Sequence, residues 1–270
     1  MRANVKRLTA AYLIFLLFFM ASAALDGVIS DVVYVLAFIA PVIYVILSDR
    51  EENLDILPLI TPKRSVATTL ALTLAPSVIV IAGASLLTSY LIFEATGKTD
   101  SVNVGDSFAS AAISFAIVPA LTEELLFRYL PMRLLGERNK RVTVILSSIC
   151  FALAHFSPFQ LFYAFIAGVI FMAVDLATDS LLPSLIIHLI NNLLSLIWIM
   201  YGHLNIGKIG LFVTVCLLLA LSIATFFITC KGIKEKIKYV FSADEAYGFN
   251  VTPLAFIIPA AFLGASVFLG

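Results

Sequence analysis

Polar side chains that can do chemistry interrupt three otherwise apolar stretches of this sequence. In chain order they are Glu123, Glu124, Arg128, His155, His188, Asn191 and Asn192. A charged side chain at the centre of a membrane costs about 2.5–3.5 kcal/mol on insertion scales, so such residues indicate a functional site. A carboxylate can act as a general base, and His and Asn side chains can stabilise an oxyanion. The set therefore predicts a catalytic site that combines a general base with oxyanion donors.

Helical spacing assigns different roles to the two neighbouring glutamates. Glu124 and Arg128 are four residues apart, the spacing at which a carboxylate and a guanidinium pair on one helix face. Glu123 lies roughly 140° around the helix from Arg128, so it has no obvious local partner. We therefore nominate Glu123 as the general base and the Glu124–Arg128 pair as structural support of the site.

The two histidines in apolar stretches each have a neighbour at helical spacing. His188 and Asn192 are four residues apart, so they share a helix face and can both donate to the oxyanion of a tetrahedral intermediate. Phe151 precedes His155 by four residues. We expect the Phe151 ring to pack on the imidazole and hold its orientation.

Two prolines frame the stretch that carries the glutamates. Pro119 precedes Glu123 by four residues and is expected to kink the helix beside the site. Pro131 is expected to end the helix shortly after Arg128. Glu123 then lies about seven residues, roughly 10 Å, from the inner end of its helix, whereas His155 lies about thirteen residues deep.

The composition of the chain predicts how these residues are positioned. Of the 270 residues, 61% are hydrophobic and 13% are charged, and the mean hydropathy is +1.07. A soluble domain carries about a quarter charged residues, so this chain is expected to lie in a membrane. The apolar runs do not alternate with polar residues, and spans in lipid must pair their backbone internally, so an all-α polytopic bundle is predicted. The net charge of zero gives no indication of a nucleic-acid partner.

Scanning for runs of about 20 apolar residues predicts eight or nine transmembrane spans. The candidate spans lie near 9–25, 31–48, 66–93, 107–130, 142–158, 160–177, 181–201, 208–230 and 252–269. The first run follows basic residues and ends in Ala21-Ser22-Ala23, a pattern also typical of a cleavable signal peptide. We favour an uncleaved first span, because many further spans follow.

The distribution of Lys and Arg predicts the orientation of the spans. With the N-terminus inside, fourteen of these residues fall in inner segments and only Lys98 and Lys208 in outer ones. The prediction is a multi-pass protein of the cell membrane with a cytosolic N-terminus. The segment 231–250 is interpreted as an interfacial helix or an ordinary loop, with neither favoured.

Three motifs in this order resemble one known family. They are Glu123-Glu124-x-x-x-Arg128, Phe151-x-x-x-His155 and His188-x-x-x-Asn192. Together they resemble the CAAX-prenyl-protease and bacteriocin-processing family, also called the type II CAAX protease, Rce1-like or Abi family. The resemblance covers roughly residues 107–200.

This resemblance implies a bundle of about eight transmembrane helices with a cavity open to the cytosol. It also implies an intramembrane endopeptidase that cuts near the cytosolic face, in which Glu123 activates water, assisted by His155. His188 and Asn192 would form the oxyanion hole, and no metal would be needed. The expected partners are membrane lipid and membrane-associated or lipid-modified peptide substrates.

Two other interpretations remain open. A zinc protease could use His155, His188 and one of the two glutamates as ligands, although the sequence has no His-Glu-x-x-His signature. A non-catalytic immunity or scaffold factor could keep the polar network for packing. The three cysteines, Cys150, Cys216 and Cys230, lie in apolar runs and are expected to be buried small residues. We divide the chain into N-terminal helices (1–106), a catalytic core (107–202) and C-terminal helices (203–270).

Overall fold

The computed structural model consists of helices, with no strand in the residues it describes, which are 2–48, 64–98, 104–105, 107–136, 140–201, 234–241 and 259–265. The helices are α1 (Arg2–Ala23), α2 (Gly27–Ser48), α3 (Arg64–Thr96), α4 (Phe108–Gly136), α5 (Lys140–Leu153), α6 (Pro158–Thr178), α7 (Leu182–Tyr201) and α8 (Lys234–Phe241), with a short helix at 259–265. Six of them, α1 to α4, α6 and α7, are long and apolar enough to cross a membrane. The predicted all-α polytopic fold is therefore confirmed, and the chain is a multi-pass membrane protein.

Six of the nine predicted spans correspond to these helices, and the other three do not. The span predicted near 208–230 lies outside the described residues, as does most of the one near 252–269. The span predicted near 142–158 is wrong, because α5 has 14 residues and ends at Leu153. At 1.5 Å per residue α5 is about 21 Å long, less than the roughly 30 Å of a hydrocarbon core.

The early end of α5 has a local cause in the sequence. Pro158 begins α6, and a proline disfavours helical backbone in the residue before it. Ser157 is accordingly extended, and Phe156 takes a left-handed conformation with φ of 49°. The chain therefore turns inside the bundle instead of continuing α5 to the membrane surface.

Helix α4 is one continuous element with unusually wide turns. Pro119 lies in the first turn of the α-helical segment Val118–Glu124, which π-helical turns flank on both sides. The expectation that Pro131 ends the helix is wrong, because α4 continues to Gly136. Pro131 has no N–H to offer the carbonyl of Phe127 four residues earlier. That carbonyl accepts hydrogen bonds from the Ser147 hydroxyl and from Arg128 Nη1 instead.

The first helix is an integral part of the core. Tyr12 and Phe15 of α1 are fully buried. Phe15 contacts Phe38 of α2 and Phe127 of α4, with ring centroids 5.1 and 5.7 Å apart. Helix α1 therefore packs as part of the same core as α2 and α4.

Neighbouring helices run in opposite directions, which gives the bundle two ends. At one end Asn4 donates to the carbonyl of Leu134 at 3.0 Å, and Arg7 donates to the carbonyl of Ser48 at 3.2 Å. This end, called the basic end below, comprises the starts of α1, α5 and α7 and the ends of α2, α4 and α6. The opposite end, called the far end, comprises the turn between α1 and α2, the starts of α4 and α6 and the end of α7.

Helix α8 falls within the segment that was interpreted as either an interfacial helix or a loop. It is a helix of eight residues. Arg141 at the start of α5 donates from Nε to the carbonyl of Phe241, so α8 packs at the basic end.

Candidate active site

Helix α4 carries a buried ion pair beside the proposed base. Arg128 Nε lies 3.6 Å from Glu124 Oε2, as the four-residue spacing predicts, and the Arg128 side chain is fully buried. The guanidinium carbon lies 4.3 Å from the ring centroid of Phe151 and 5.3 Å from that of Phe171. A cation over aromatic faces is stabilised electrostatically. The aromatic rings and Glu124 thus hold one positive charge inside the bundle.

His188 of α7 joins the two glutamates. Its Nδ1 lies 2.8 Å from Glu124 Oε1, and its Nε2 lies 3.6 Å from Glu123 Oε2. The imidazole also stacks on Phe171, with ring centroids 5.1 Å apart. Glu123, which has no partner on its own helix, therefore has one across the bundle.

The contact with Glu124 limits what His188 can do. A carboxylate accepts hydrogen bonds, so Nδ1 carries a proton that it donates to Glu124. The other nitrogen, Nε2, then has a lone pair in the neutral ring and an N–H in the imidazolium. His188 can serve as an oxyanion donor from Nε2 only in the doubly protonated form.

The sequence predicts His155 inside a membrane-spanning helix. In the structure it lies in the turn that follows α5. Its Nδ1 lies 2.8 Å from the carbonyl of Phe151, and the Phe151 ring meets the imidazole edge-on at 4.8 Å between centroids. The packing of Phe151 on His155 is therefore observed. Because the Phe151 carbonyl can only accept, Nδ1 holds the proton and Nε2 is left as an acceptor.

The longer α4 removes the expected mismatch in depth between Glu123 and His155. Glu123 lies thirteen residues before Gly136 and not seven from the inner helix end, and His155 lies fifteen residues after Lys140. Both are therefore roughly 20 Å from the basic end of the bundle. The site therefore lies further from the basic end of the bundle than the sequence indicates.

One cavity of about 720 Å³ collects most of the candidate residues. Its lining includes Glu123, Phe151, His155, His188 and Asn192. Glu124 and Arg128 lie behind this lining and contact it through His188 and Phe151. The cavity is large enough for a peptide segment and is bordered by a carboxylate, two imidazoles and a carboxamide.

Asp175 and Ser184 form part of the site's support that sequence reasoning missed. The three motifs give Asp175 no functional role, but it lies in α6 and is fully buried. Its carboxylate accepts from the backbone N–H of Ser184 at 3.2 Å and from the Ser184 hydroxyl at 2.6 Å. Ser184 lies one turn before His188, so this contact fixes the start of the helix that carries the histidine. An aspartate inside an apolar run was the available signal.

Besides Asn191, which the sequence singled out, further polar side chains line the cavity. They are Asp31, Tyr34, Ser114, Gln160, Tyr163 and Ser195. Asn191 is adjacent to Asn192 in sequence and is buried. These groups can contact a peptide backbone along the cavity, and their scattered positions in the sequence explain why no motif indicated them.

The cavity lies in the half of the bundle away from the basic end. Its lining begins at Phe19 in the last turn of α1 and at Asp31 near the start of α2, and it extends to Ile199 near the end of α7. The predicted cytosolic N-terminus places the basic end in the cytosol, whereas the resemblance implies a cavity open to the cytosol. These two expectations cannot both hold for this structure.

Metal ligands are not clustered in the part of the chain that the structure describes. No group of three or more His, Cys, Asp and Glu side chains is arranged there to hold a metal ion. Glu123 and His188 face each other, and His155 contacts the carbonyl of Phe151 through Nδ1, which leaves its Nε2 free.

Comparison with known proteins identifies one family over part of the chain. Residues 105–194 match the family model described as type II CAAX prenyl endopeptidase Rce1-like. The resemblance inferred from the three motifs is thereby confirmed for this segment, which contains all of them. No curated protein and no solved structure matches the chain.

Proposed function

Residues 105–194 carry the Rce1-like segment of the type II CAAX prenyl endopeptidase family, and from that premise we propose that this chain is a glutamate-dependent intramembrane endopeptidase. The observation that supports the proposal is the meeting of Glu123, His155, His188 and Asn192 at one cavity. The family implies a membrane protease and a peptide substrate. The substrates proposed here are membrane-associated segments, including lipid-modified ones.

The proposed reaction uses Glu123 as the general base. Its carboxylate takes a proton from water as the water oxygen attacks the scissile carbonyl carbon. The negative charge that develops on the carbonyl oxygen is stabilised by an N–H of the Asn192 carboxamide and by Nε2–H of His188. The proton held by Glu123 then moves to the leaving amine as the C–N bond breaks. His155 orients the attacking water through its free Nε2.

The surroundings of the site support this division of roles. Glu123 is 14% exposed and borders the cavity, whereas Glu124 is almost fully buried between Arg128 and His188. Glu124 is therefore placed to hold neighbouring groups and not to meet a substrate. Its hydrogen bond to Nδ1 keeps Nε2 of His188 directed towards Glu123 and the cavity.

The zinc alternative has less support, because no group of three His, Cys, Asp and Glu side chains is arranged to hold a metal ion in the described residues. Asn192, one turn from His188, would crowd a metal there, and a carboxamide is a poor ligand for zinc. The non-catalytic alternative is less well supported than the protease, because every polar residue of the three motifs is present. A packing network alone does not require a lined cavity of this volume.

A peptidase assay on purified protein tests the proposal. The full chain is incubated with lipidated and plain peptides, and cleavage products are identified by mass spectrometry. We expect cleavage of at least one class by the native protein and none by Glu123→Gln prepared in the same way. Equal cleavage by both preparations, or by neither in a properly folded sample, would contradict the proposed function.

A further inference from the structure

Among the described residues, the exposed part of the cavity lining lies in the far half of the bundle. Its exposed lining residues are Asp31, Ser114, Phe115, Ser195 and Ile199. Ser195 lies six residues before the end of α7, roughly 9 Å from the far end. Asp31 lies four residues after the start of α2, roughly 6 Å from the same end.

Packed side chains close the cavity towards the basic end. Phe127 and Phe171 form its floor, and both are at most 1% exposed. Below them lie Arg128, which is fully buried, and the buried Leu134 and Leu135 near the end of α4. A peptide approaching from the basic end would have to displace this packing.

The charges of the chain orient the bundle in the membrane. The described Lys and Arg residues near the basic end are Arg2, Lys6, Arg7, Arg133, Lys140, Arg141, Lys234, Lys236 and Lys238. At the far end, the basic residue that comes nearest to the cavity lining along the sequence is Lys98. It precedes Val104 of the lining by six residues. Membrane proteins concentrate Lys and Arg in short cytosolic segments. The basic end therefore faces the cytosol.

From these two observations we infer that substrate reaches the active site from the non-cytosolic face of the membrane. The inference rests on the proposed protease function for its substrate class, which becomes an exported or membrane-anchored polypeptide on that face. A prenylated C-terminus exposed to the cytosol would meet the closed end of the bundle. The cytosolic-face cleavage that the family resemblance implies is thus replaced for this chain.

Access to the cavity is measured by thiol labelling. Cys150, Cys216 and Cys230 are replaced by Ala, and Ser195→Cys is introduced into the cavity wall. Leu25→Cys, exposed in the turn between α1 and α2, marks the far end, and Ser48→Cys marks the basic end. The probe is a trimethylammonium methanethiosulfonate, which is small, does not cross membranes and suits a cavity bordered by Asp31 and Glu123.

We expect Ser195→Cys and Leu25→Cys to react in right-side-out vesicles and Ser48→Cys to react only in inside-out vesicles. Reaction of Ser195→Cys only from the cytosolic side would overturn the inference, whether Leu25→Cys reacts from that side or not. Ser114 is a second residue of the cavity lining, and Ser114→Cys is used if the Ser195→Cys protein does not fold. Failure of both cavity cysteines to react from either side in monodisperse protein would also overturn it.

Labelling separates this inference from the proposed function, because it does not require catalysis. Glu123→Gln in the same background should give the same labelling pattern. If labelling follows the expectation and no peptide is cleaved, the proposed function fails and the access route stands. If peptides are cleaved, a membrane-impermeant substrate should be cut in sealed vesicles only when it is added on the side that labels Ser195→Cys.

Discussion

Glu123 and Glu124 are neighbours in sequence, but they face different surroundings. Glu123→Gln removes the proposed base and keeps the shape of the side chain, so we expect activity to be lost and the folded protein to persist. Glu124→Gln leaves the buried Arg128 without its carboxylate. Removing one partner of a buried ion pair typically costs about 3–5 kcal/mol, so this variant should lose thermal stability together with activity.

The comparison of these two variants uses matched preparations. Thermal unfolding and peptide cleavage are measured on the same samples in detergent. A fully active Glu123→Gln protein, together with an inactive but stable Glu124→Gln protein, would reverse the two roles.

The Asn192→Ala variant tests whether the Asn192 carboxamide donates to the oxyanion or only lies beside a metal site. Asn192→Ala should lower kcat about 10²–10³-fold with little change in KM, which is the scale observed when one oxyanion-hole donor is removed. Leu194→Ala is the control, because Leu194 also lies in α7 but is exposed and does not line the cavity. A similar loss in both variants would indicate a general effect on α7.

Elemental analysis of the active enzyme completes the comparison with zinc. We expect less than one metal ion per chain and activity that survives prolonged chelation. The mechanism with a glutamate base would be contradicted if the enzyme held one zinc per chain and activity were lost on its removal and restored on its return. The same residues would then form the site with different roles.

At the scale of elements, Asp175 and Ser184 determine where α7 begins. Asp175→Asn weakens acceptance from the Ser184 N–H and hydroxyl. A buried donor left without its acceptor costs about 1–3 kcal/mol. We expect a lower unfolding temperature and a lower kcat, because His188 lies one turn further along α7. Thr178→Ala is the control, since the Thr178 hydroxyl bonds only to backbone carbonyls nearby. Unchanged kcat in Asp175→Asn would limit the contact to a structural role.

The crossing of α5 and α6 depends on Gly168. A Cβ at this position would lie 2.8 Å from Ser148 Cα, so Gly168→Ala must push the two helices apart. Overpacking of this kind typically costs about 1–3 kcal/mol. Since His155 follows α5, we expect activity to fall together with the unfolding temperature. Gly264→Ala, where no atom lies within 4 Å of the added Cβ, should match the native protein. A stable and fully active Gly168→Ala protein would contradict this account of the crossing.

The sequence predicted the type of these elements better than their ends. The spacing of Glu124 and Arg128 indicated their pairing, because both lie on one regular helix face. It did not indicate that α4 passes through Pro131, since that requires Ser147 of another helix to occupy the carbonyl of Phe127. Contacts between distant segments leave no local pattern in a sequence.

At the scale of the whole molecule, hydropathy was sufficient to predict a helical membrane protein. It could not predict the hydrogen bond between His188 and Glu124, which joins residues 64 positions apart. Nor could motif spacing show that the cavity lies in the half of the bundle away from the basic residues. That follows from the depth at which α5 stops and from the directions of the helices around it.

The buried charge on α4 has a consequence for how the protein is made. When α4 enters the translocon, α5, α6 and α7, which carry the rings and the imidazole that later surround Arg128 and Glu124, have not yet followed it. A charged residue at the centre of a helix costs about 2.5–3.5 kcal/mol to insert into lipid, so α4 alone is a poor candidate for release from the translocon. Chains truncated after residue 157 should therefore leave α4 largely uninserted in a glycosylation-mapping assay, whereas chains that extend to residue 201 should insert it. Equal insertion of both would contradict this. Membrane integration of the catalytic helix is thus expected to wait for helices that the ribosome makes later.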